Sequence, residues 1–506
     1  VKGLGDDEFI VVWNSNYQDN SSSWGVYAQM YGGSNTIKTV IDNDEIVYKT
    51  KEYDISEHTY QIGVTGNGQL EIREGGRVLS KSGKLGIEET GFGKVIMNHE
   101  TTKWELSAGL EVGLLGSGEL LLSNGSVIES VTANIGINST GSANVEMIGS
   151  TWTVSQDITI GDSGKGQISL ESGVLKSKTA DVGLERVGSA IIELSGNTST
   201  KWETEELLRL GVSGHVELEV SKNTKVETVK SEIGSNEGST VNVYIGGNTS
   251  TYWKDSEEMV IGKAGKVTAL VTEGAYIEGV DIILGQESTA EVELTVTGNN
   301  SKLKATNLIV GDAGEAIITV NLGTIEIGED IYIAKSGGKG EIRLISTEPE
   351  IKGSIIAGSG SATIVQEEGV VKVEGDIILT GSQSGEGSYT LNGGTLTASS
   401  IQKGPGAGVF NWVTGNVYTS TYNMTLVNID NQLDPGMGPD ERRRLDLEGY
   451  DQRASANLLI SISSITEYDH IRVSGDIILD GTLDVEIVST YEPDIGASFQ
   501  VIEWTG

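Results

Sequence analysis

Apolar and polar residues alternate along most of the chain. In one stretch, Val216, Leu218 and Val220 alternate with the glutamates Glu217 and Glu219. A period of two sends alternate side chains to opposite faces of a β-strand, so the pattern predicts strands with one buried face. Gly, Ser, Asp and Asn separate these short segments at positions that suit turns. The chain is therefore predicted to be all-β.

An aliphatic residue followed by glycine marks a repeat along the chain. The glycines of this pair are Gly63, Gly86, Gly113, Gly136, Gly161, Gly183, Gly211, Gly234, Gly262, Gly285 and Gly311. They lie 22 to 28 residues apart, with short and long spacings alternating along most of the series. The visible repeat is therefore about 50 residues long and consists of two unequal halves. After Gly311 the same phase continues at shorter spacings, with Ala334, Ala357, Thr380 and Gln402 in the place of glycine.

Each half-repeat contains three short strands, which cannot bury an apolar face alone. Stacked half-repeats would form parallel sheets around a common interior. We therefore predict a parallel β-helix of about fifteen turns, right-handed by the general bias of parallel crossovers. A β-propeller with one four-stranded blade per repeat is the alternative architecture, and the half-repeat near 23 residues favours the solenoid.

The repeat divides the chain into three regions. Residues 63–414 form the predicted β-helix. Residues 1–62 lack the glycine landmark and are predicted to be an N-terminal β cap or docking segment. Residues 415–506 lose the 23-residue rhythm and are predicted to be a C-terminal β region that serves as a cap or junction.

Both ends carry motifs of known families. The strands EFIVVWNS and WGVYAQMYGG at residues 8–15 and 24–33 resemble the FVVVW and GVYAQ strands repeated in bacterial surface and secreted adhesin-like proteins. The C-terminal segments LDPGMGP and EYDHIRVSGDIILDGTLDVEIV resemble the end of bacterial exported β-solenoid proteins, and the repeats resemble autotransporter-type passenger domains. This resemblance implies an exported protein, extracellular or on the bacterial cell surface.

Tryptophan recurs in every second half-repeat, nine residues before the landmark glycine. The four residues are Trp104, Trp152, Trp202 and Trp253, and Leu303 takes the same place in the next copy. Successive rings would lie too far apart for direct aromatic pairing. We expect each indole to cap its own loop against the rod, and the alternative is a glycan-binding stripe. Trp13 and Trp24 of the N-terminal strands are further binding candidates.

The charge balance restricts the partners. The chain of 506 residues has 35 Lys and Arg against 72 Asp and Glu, a net charge of −37. Such a charge argues against binding to nucleic acid or to anionic membrane surfaces. No apolar stretch is long enough for a transmembrane helix. With no cysteine, the chain has neither disulfides nor thiolate metal sites.

Two charged clusters are candidates for contacts. The acidic turn that contains Asp42 and Asp44 has closely spaced oxygen ligands, which makes it a candidate calcium site. The turn lacks the EF-hand pattern, and the sequence predicts no other cofactor. An ordinary acidic turn is the alternative. Arg442, Arg443 and Arg444 lie in an insertion relative to the family pattern, where they could dock on an acidic neighbour or form a solvated loop.

The sequence shows no catalytic constellation. Its four histidines lie in four different regions, and no GxSxG elbow or phosphate-binding loop is present. Most acidic residues occupy alternating strand positions or turns, as on a solvated face. We therefore predict that the chain is not an enzyme and assign no catalytic residues.

The repeat regularity favours a structural role. The leading hypothesis is an extracellular β-solenoid that self-associates head-to-tail into a surface filament, sheath or surface layer, because unlike ends permit heterologous contacts. One alternative is a monomeric adhesin passenger that binds a glycan or a host surface. The other is a polysaccharide-degrading β-helix enzyme.

Overall fold

The computed structural model describes residues 39–435, 444–488 and 491–506, together with the backbone of three strands before residue 33. The protein is an all-β parallel solenoid of about 18 turns, which confirms the predicted fold class and extends the predicted fifteen turns. The additional turns lack the landmark glycine. A turn needs an apolar inward row and a parallel neighbour, and it can form without that glycine.

Short strands follow one another along the described chain. The first eighteen are β1 (Lys2–Gly5), β2 (Glu8–Asn16), β3 (Trp24–Gly32), β4 (Val40–Ile41), β5 (Glu45–Lys49), β6 (Glu52–Ile62), β7 (Asn67–Ile72), β8 (Arg77–Leu85), β9 (Phe92–Met97), β10 (Lys103–Leu106), β11 (Gly109–Val112), β12 (Ser117–Ser123), β13 (Val127–Ser130), β14 (Thr132–Ile135), β15 (Ser142–Ile148), β16 (Thr151–Val154), β17 (Asp157–Ile160) and β18 (Lys165–Glu171). The next eighteen are β19 (Val174–Val182), β20 (Ser189–Ser195), β21 (Lys201–Leu210), β22 (His215–Val220), β23 (Lys225–Ile233), β24 (Thr240–Ile245), β25 (Tyr252–Asp255), β26 (Glu258–Ile261), β27 (Lys266–Val271), β28 (Tyr276–Leu284), β29 (Glu291–Thr297), β30 (Lys302–Val310), β31 (Glu315–Asn321), β32 (Thr324–Ile327), β33 (Ile331–Ile333), β34 (Lys339–Ile345), β35 (Glu350–Ile351) and β36 (Ile355–Ala357). The last sixteen are β37 (Ser361–Gln366), β38 (Val370–Val373), β39 (Asp376–Ile378), β40 (Glu386–Leu391), β41 (Thr395–Thr397), β42 (Ser400–Gln402), β43 (Ala407–Trp412), β44 (Asn416–Tyr418), β45 (Thr421–Asn428), β46 (Gln432–Leu433), β47 (Arg444–Gln452), β48 (Asn457–Ile462), β49 (His470–Val473), β50 (Ile477–Ile478), β51 (Thr482–Ile487) and β52 (Ile502–Trp504).

One turn of the solenoid, or rung, has three faces. In the rung formed by β10, β11 and β12, these strands lie on faces A, B and C in that order. Each strand pairs in parallel with its counterpart in the next rung, as β10 does with β13, β11 with β14 and β12 with β15. In several rungs one long strand, such as β21, covers faces A and B. Parallel pairing between successive half-repeats excludes the propeller.

The strands form two long sheets and two small ones. Faces A and B belong to one sheet that runs from β4 to β52. Face C is a sixteen-stranded sheet from β5 to β43, and β46, β48 and β51 form a separate three-stranded sheet after it. Strands β1, β2 and β3 form an antiparallel sheet. Parallel rungs are therefore present on both sides of residues 63–414, from Val40 to Trp504.

The landmark glycines occupy the corner between faces B and C. Gly113 has φ +70°, and a Cβ atom there would lie 2.3 Å from the carbonyl oxygen of Ser142 in the next rung. Only glycine meets both demands easily, because it tolerates positive φ and has no side chain. Ala334 keeps the positive φ, +53°, where the landmark is no longer glycine.

A continuous apolar interior runs along the rod. Alternate residues of every face point inward, and the buried cluster extends from Ile41 to Val473. In β22, for instance, Val216, Leu218 and Val220 are buried while their polar neighbours are exposed or half-buried. The described residues include no helix long and apolar enough to cross a membrane.

Candidate assembly surface

The four repeat tryptophans lie inside the solenoid. Each has 0% of its surface exposed and sits on face A, where an aliphatic side chain separates it from the next indole. The inward row reads Val78, Trp104, Ile128, Trp152, Leu175, Trp202, Val226, Trp253, Ile277 and Leu303 along successive rungs. The predicted replacement of Trp by Leu303 is confirmed by this row.

The prediction that the indoles cap loops is wrong. In the rung of Trp202, Thr200 is buried, Lys201 points outward and the indole points inward. This alternation is that of a strand, so the loop has already ended before Trp202. A fully buried indole offers no face to a sugar. The four tryptophans therefore do not form a glycan-binding stripe.

Three of the four buried indole N–H groups use short polar side chains of the same face, whereas Trp202 Nε1 has no hydrogen-bond partner among the described residues. Trp104 donates to Ser80 Oγ at 2.9 Å, and Trp152 donates to Ser130 Oγ at 3.1 Å. Trp253 donates to Asp255 Oδ1 at 2.9 Å. These bonds offset the cost of burying the indole N–H.

Asp255 is an ionisable group in the interior. Its side chain is 2% exposed, and Oδ2 makes no hydrogen bond within the described part of the chain. Burial raises the pKa of Asp255 to about 8, and the nearby polar groups of Ser231 together with the hydrogen bond from Trp253 offset only part of this effect. The carboxyl is therefore largely protonated at neutral pH.

The two acidic calcium candidates hold a turn together. Asp42 accepts hydrogen bonds from the backbone N–H groups of Thr65 and Gly66 in the next rung, at 3.1 and 2.8 Å. Partial desolvation raises the pKa of Asp42, but these hydrogen bonds outweigh it and lower the pKa below its ordinary value. Asp44 accepts from the Asn67 amide at 2.7 Å. Within the described residues, no group of three or more His, Cys, Asp or Glu side chains could hold a metal ion.

The remaining predicted site residues lie at or beyond the edges of the described segments. Arg444 opens β47 and forms an ion pair with Asp446 at 2.9 Å. Arg442 and Arg443 lie outside the described residues. Trp13 and Trp24 belong to β2 and β3, which pair antiparallel, but their side chains lie outside the described part of the structure.

Face A carries a ladder of ion pairs between rungs. Arg77 contacts Glu52 at 3.1 Å and Glu105 at 2.6 Å, and Lys103 contacts Glu129 at 2.9 Å. The Arg77 guanidinium holds the pKa of Glu105 below its ordinary value. Many of the few basic side chains are thus paired with carboxylates of the same chain. Each such pair lies at an exposed surface and adds little to the stability of the fold.

An apolar groove lies where the long face C sheet ends. Its volume is about 790 Å³, and it lies between β43, the last strand of that sheet, and the second half of β45. Phe410 in its floor stacks on Tyr389 at 5.5 Å and meets Tyr422 edge-on at 5.8 Å. Val409 and Val413 on the rim are half exposed. Among the described strands, none pairs with the outer edge of β43.

A second open edge belongs to β51. Leu483, Val485 and Ile487 align with the buried residues Leu458, Ile460 and Ile462 of β48, so they occupy the inward row. They are nevertheless 50%, 51% and 42% exposed, because no described strand covers the outer edge of β51. Core side chains of the solenoid reach solvent here.

No known protein family, curated protein or solved structure matches this chain.

The first face C strand, β5, carries charged residues in its inward row. Val47 of β5 aligns with Leu70, but Glu45 and Lys49 on either side of it align with Gly68 and Ile72. Charged residues in inward positions protect a strand edge against pairing with other chains. Lys49 Nζ also lies 3.3 Å from the centroid of the Tyr53 ring.

Sequence reasoning missed both open edges. The alternation in β51 and β43 is that of any inner strand of the repeat. Only the pairing partners of each strand distinguish an edge from the interior, and those partners lie a full rung away.

Proposed function

We propose that this chain is a structural subunit that self-associates into an extracellular assembly, such as a filament, sheath or surface layer. The observation that carries the proposal is the apolar groove beside β43, the last strand of the long face C sheet, where Val409 and Val413 are half exposed. Exposed strand edges with apolar side chains template pairing with another chain.

The resemblance of the repeats to exported bacterial solenoids supports the extracellular setting. The continuous apolar interior supports a stable rod. The excess of acidic residues gives that rod a mostly acidic surface. With a net charge of −37, copies repel one another at low ionic strength, so the contacts must be apolar or screened. Association is therefore expected to strengthen as salt is added.

Electron microscopy and light scattering over a series of protein and salt concentrations test the proposal. At roughly 4.8 Å per rung, about 18 rungs give a single rod of about 85 Å. We expect longer or joined rods, and a rising mass, as protein and salt increase. Single rods of monomer mass under every condition would refute self-association.

A further inference from the structure

We propose that the rod binds a neutral polysaccharide in a groove along the bend between faces A and B. This site is separate from the surface beside β43, and its ligand lies parallel to the rod axis. The inference goes beyond the self-association proposed above, and either can fail without the other.

Two cavities follow one another along this bend. One has a volume of about 320 Å³ and is lined by three rungs, and the other has about 360 Å³ and is lined by the next four. One outward column of face A lines both cavities, with the residues Glu203, Glu227, Lys254, Glu278, Lys304, Glu326 and Glu350 on successive rungs. At roughly 4.8 Å per rung, this column is about 29 Å long. The cavities therefore lie end to end in one groove that runs along the rod.

Small residues at the bend keep the groove open. Ser256, Thr306 and Gly328 belong to its lining. Gly328 is exposed, and a Cβ atom there would make only an ordinary contact, 3.7 Å from the Cα atom of Thr306. Neither the backbone nor the packing thus demands glycine at this position. The missing side chain instead leaves room for a ligand.

The charges of the groove balance although the chain as a whole is strongly acidic. Among the described residues, six glutamates line the two cavities: Glu203, Glu205, Glu227, Glu278, Glu326 and Glu350. Six lysines balance them: Lys254, Lys304 and Lys352 in the lining, and Lys176, Lys201 and Lys302 in ion pairs with lining glutamates. A groove without net charge attracts neither polyanions nor polycations, so it suits a neutral ligand.

Hydrogen-bond acceptors and donors alternate along the middle of the groove. The alternating residues on consecutive rungs are Glu227, Lys254, Glu278, Lys304 and Glu326. A sugar hydroxyl both donates and accepts hydrogen bonds, and bonds to charged partners are the stronger class. An extended pyranose chain rises by about one rung per unit, so successive sugars meet an acceptor and a donor in turn.

A polypeptide suits the groove less well. The strands beneath it pair in parallel with the rungs on both sides, as β28 does with β25, β26 and β30. They therefore offer no open edge to the backbone of a peptide strand. Only side chains reach the ligand, and their donors and acceptors match hydroxyl groups.

Two stacked tyrosines hold groove side chains in place. The rings of Tyr252 and Tyr276 are stacked with their centroids 5.0 Å apart. Tyr252 donates to Glu227 Oε1 at 2.6 Å, and Lys304 Nζ lies 4.9 Å from the centroid of the Tyr276 ring. Side chains that are ordered before binding lose less conformational entropy when the ligand arrives. The groove is therefore preorganised around these two rungs.

Calorimetric titration with oligosaccharides of increasing length tests the proposal. The probes are β-linked oligomers of glucose, mannose and N-acetylglucosamine, with polygalacturonate and chitosan as charged comparisons. At least one neutral series should bind. Its affinity should rise up to about seven units, one for each rung of the groove, and then level off. Added salt should leave this binding unchanged, because an uncharged ligand forms no ion pairs.

Two variants locate the binding in the groove. Gly328→Leu fills the bend without straining the backbone and should weaken binding by about tenfold or more, whereas Ser361→Leu adds similar bulk on face C and is the matched control. Lys304→Met removes a donor and should weaken binding by about tenfold. Lys339→Met also breaks an ion pair with a glutamate of the neighbouring rung, but on face C, and should leave binding unchanged. Melting curves show that each variant is folded.

Length-dependent binding of a neutral oligosaccharide, weakened by Gly328→Leu and Lys304→Met but not by their controls, supports the groove. Binding of the charged polymers alone, or binding that added salt abolishes, contradicts a neutral ligand. If no neutral oligomer binds, or if Gly328→Leu leaves binding unchanged, the groove is not a polysaccharide site. Self-association is measured separately by light scattering and stands or falls on that result.

Discussion

At the scale of single residues, three of the four buried indoles donate to a polar partner on the same face, and Trp202 Nε1 is buried without one among the described residues. Trp104 and Trp152 satisfy their N–H groups with serine hydroxyls, and Trp253 uses a carboxyl oxygen. Asp255 is the costly member of this set, because one of its oxygens is buried without a hydrogen bond in the described structure. Its environment favours the neutral form.

Asp255 should make stability depend on pH. Between its ordinary pKa of 3.8 and the folded value of about 8, the folded carboxyl keeps a proton that the unfolded one has released. Stability contributed by this residue is therefore complete at low pH, falls by up to about 1.4 kcal/mol per pH unit through this window, and levels off above it. Asp255→Asn keeps the acceptor for Trp253 and removes the titration.

Melting temperatures of wild type and Asp255→Asn from about pH 5 to about pH 9 check this expectation. The variant should gain on the wild type as the pH rises. Parallel curves across the range would show that Asp255 does not titrate in this window. Glu217→Gln, an exposed substitution on face C, controls for the loss of one carboxylate.

At the scale of elements, the corner between faces B and C decides how closely rungs can stack. A landmark glycine contributes both a left-handed backbone and the absence of a side chain. These two contributions can be separated, because Gly496 also has a positive φ, +96°, but would have nothing within 4 Å of an added Cβ atom.

Gly113→Ala should therefore destabilise the protein more than Gly496→Ala. Both substitutions place a side chain on a residue with positive φ, at a cost of about 1 kcal/mol or more. Only the first also drives a Cβ atom against the Ser142 carbonyl of the next rung, which should raise its cost to about 2–4 kcal/mol. Denaturant unfolding of both variants measures the difference, and equal losses would contradict the steric account.

At the scale of the whole molecule, each rung contacts mainly the rungs before and after it. Stability in such a solenoid is approximately a sum over rungs and their interfaces. A defect in the core should therefore loosen its own neighbourhood and leave distant rungs protected. The long-range order of the rod comes from repetition of the same local contact.

Trp152→Ala tests this locality. Loss of the buried indole leaves a cavity and should cost about 3–5 kcal/mol. Hydrogen exchange should rise in β13, β16 and β19, which contain Ile128, residue 152 itself and Leu175, and stay unchanged in β37 and β40. A uniform rise along the chain would instead indicate a single cooperative unit. Thr153→Ala, on the outward side of the same strand, is the matched control.

The sequence by itself determined the strands, the repeat and the solenoid. Strand period and glycine spacing are local properties, and the alternation at Val216, Leu218 and Val220 already tells which side chains point inward. The tertiary structure alone decided that Trp152 lies in the core rather than on a loop, because that depends on where the strand begins after the turn. It also decided that the long face C sheet ends at β43. An edge depends on the strand one rung away, and the alternation within β43 is the same whether or not another strand pairs with its outer edge.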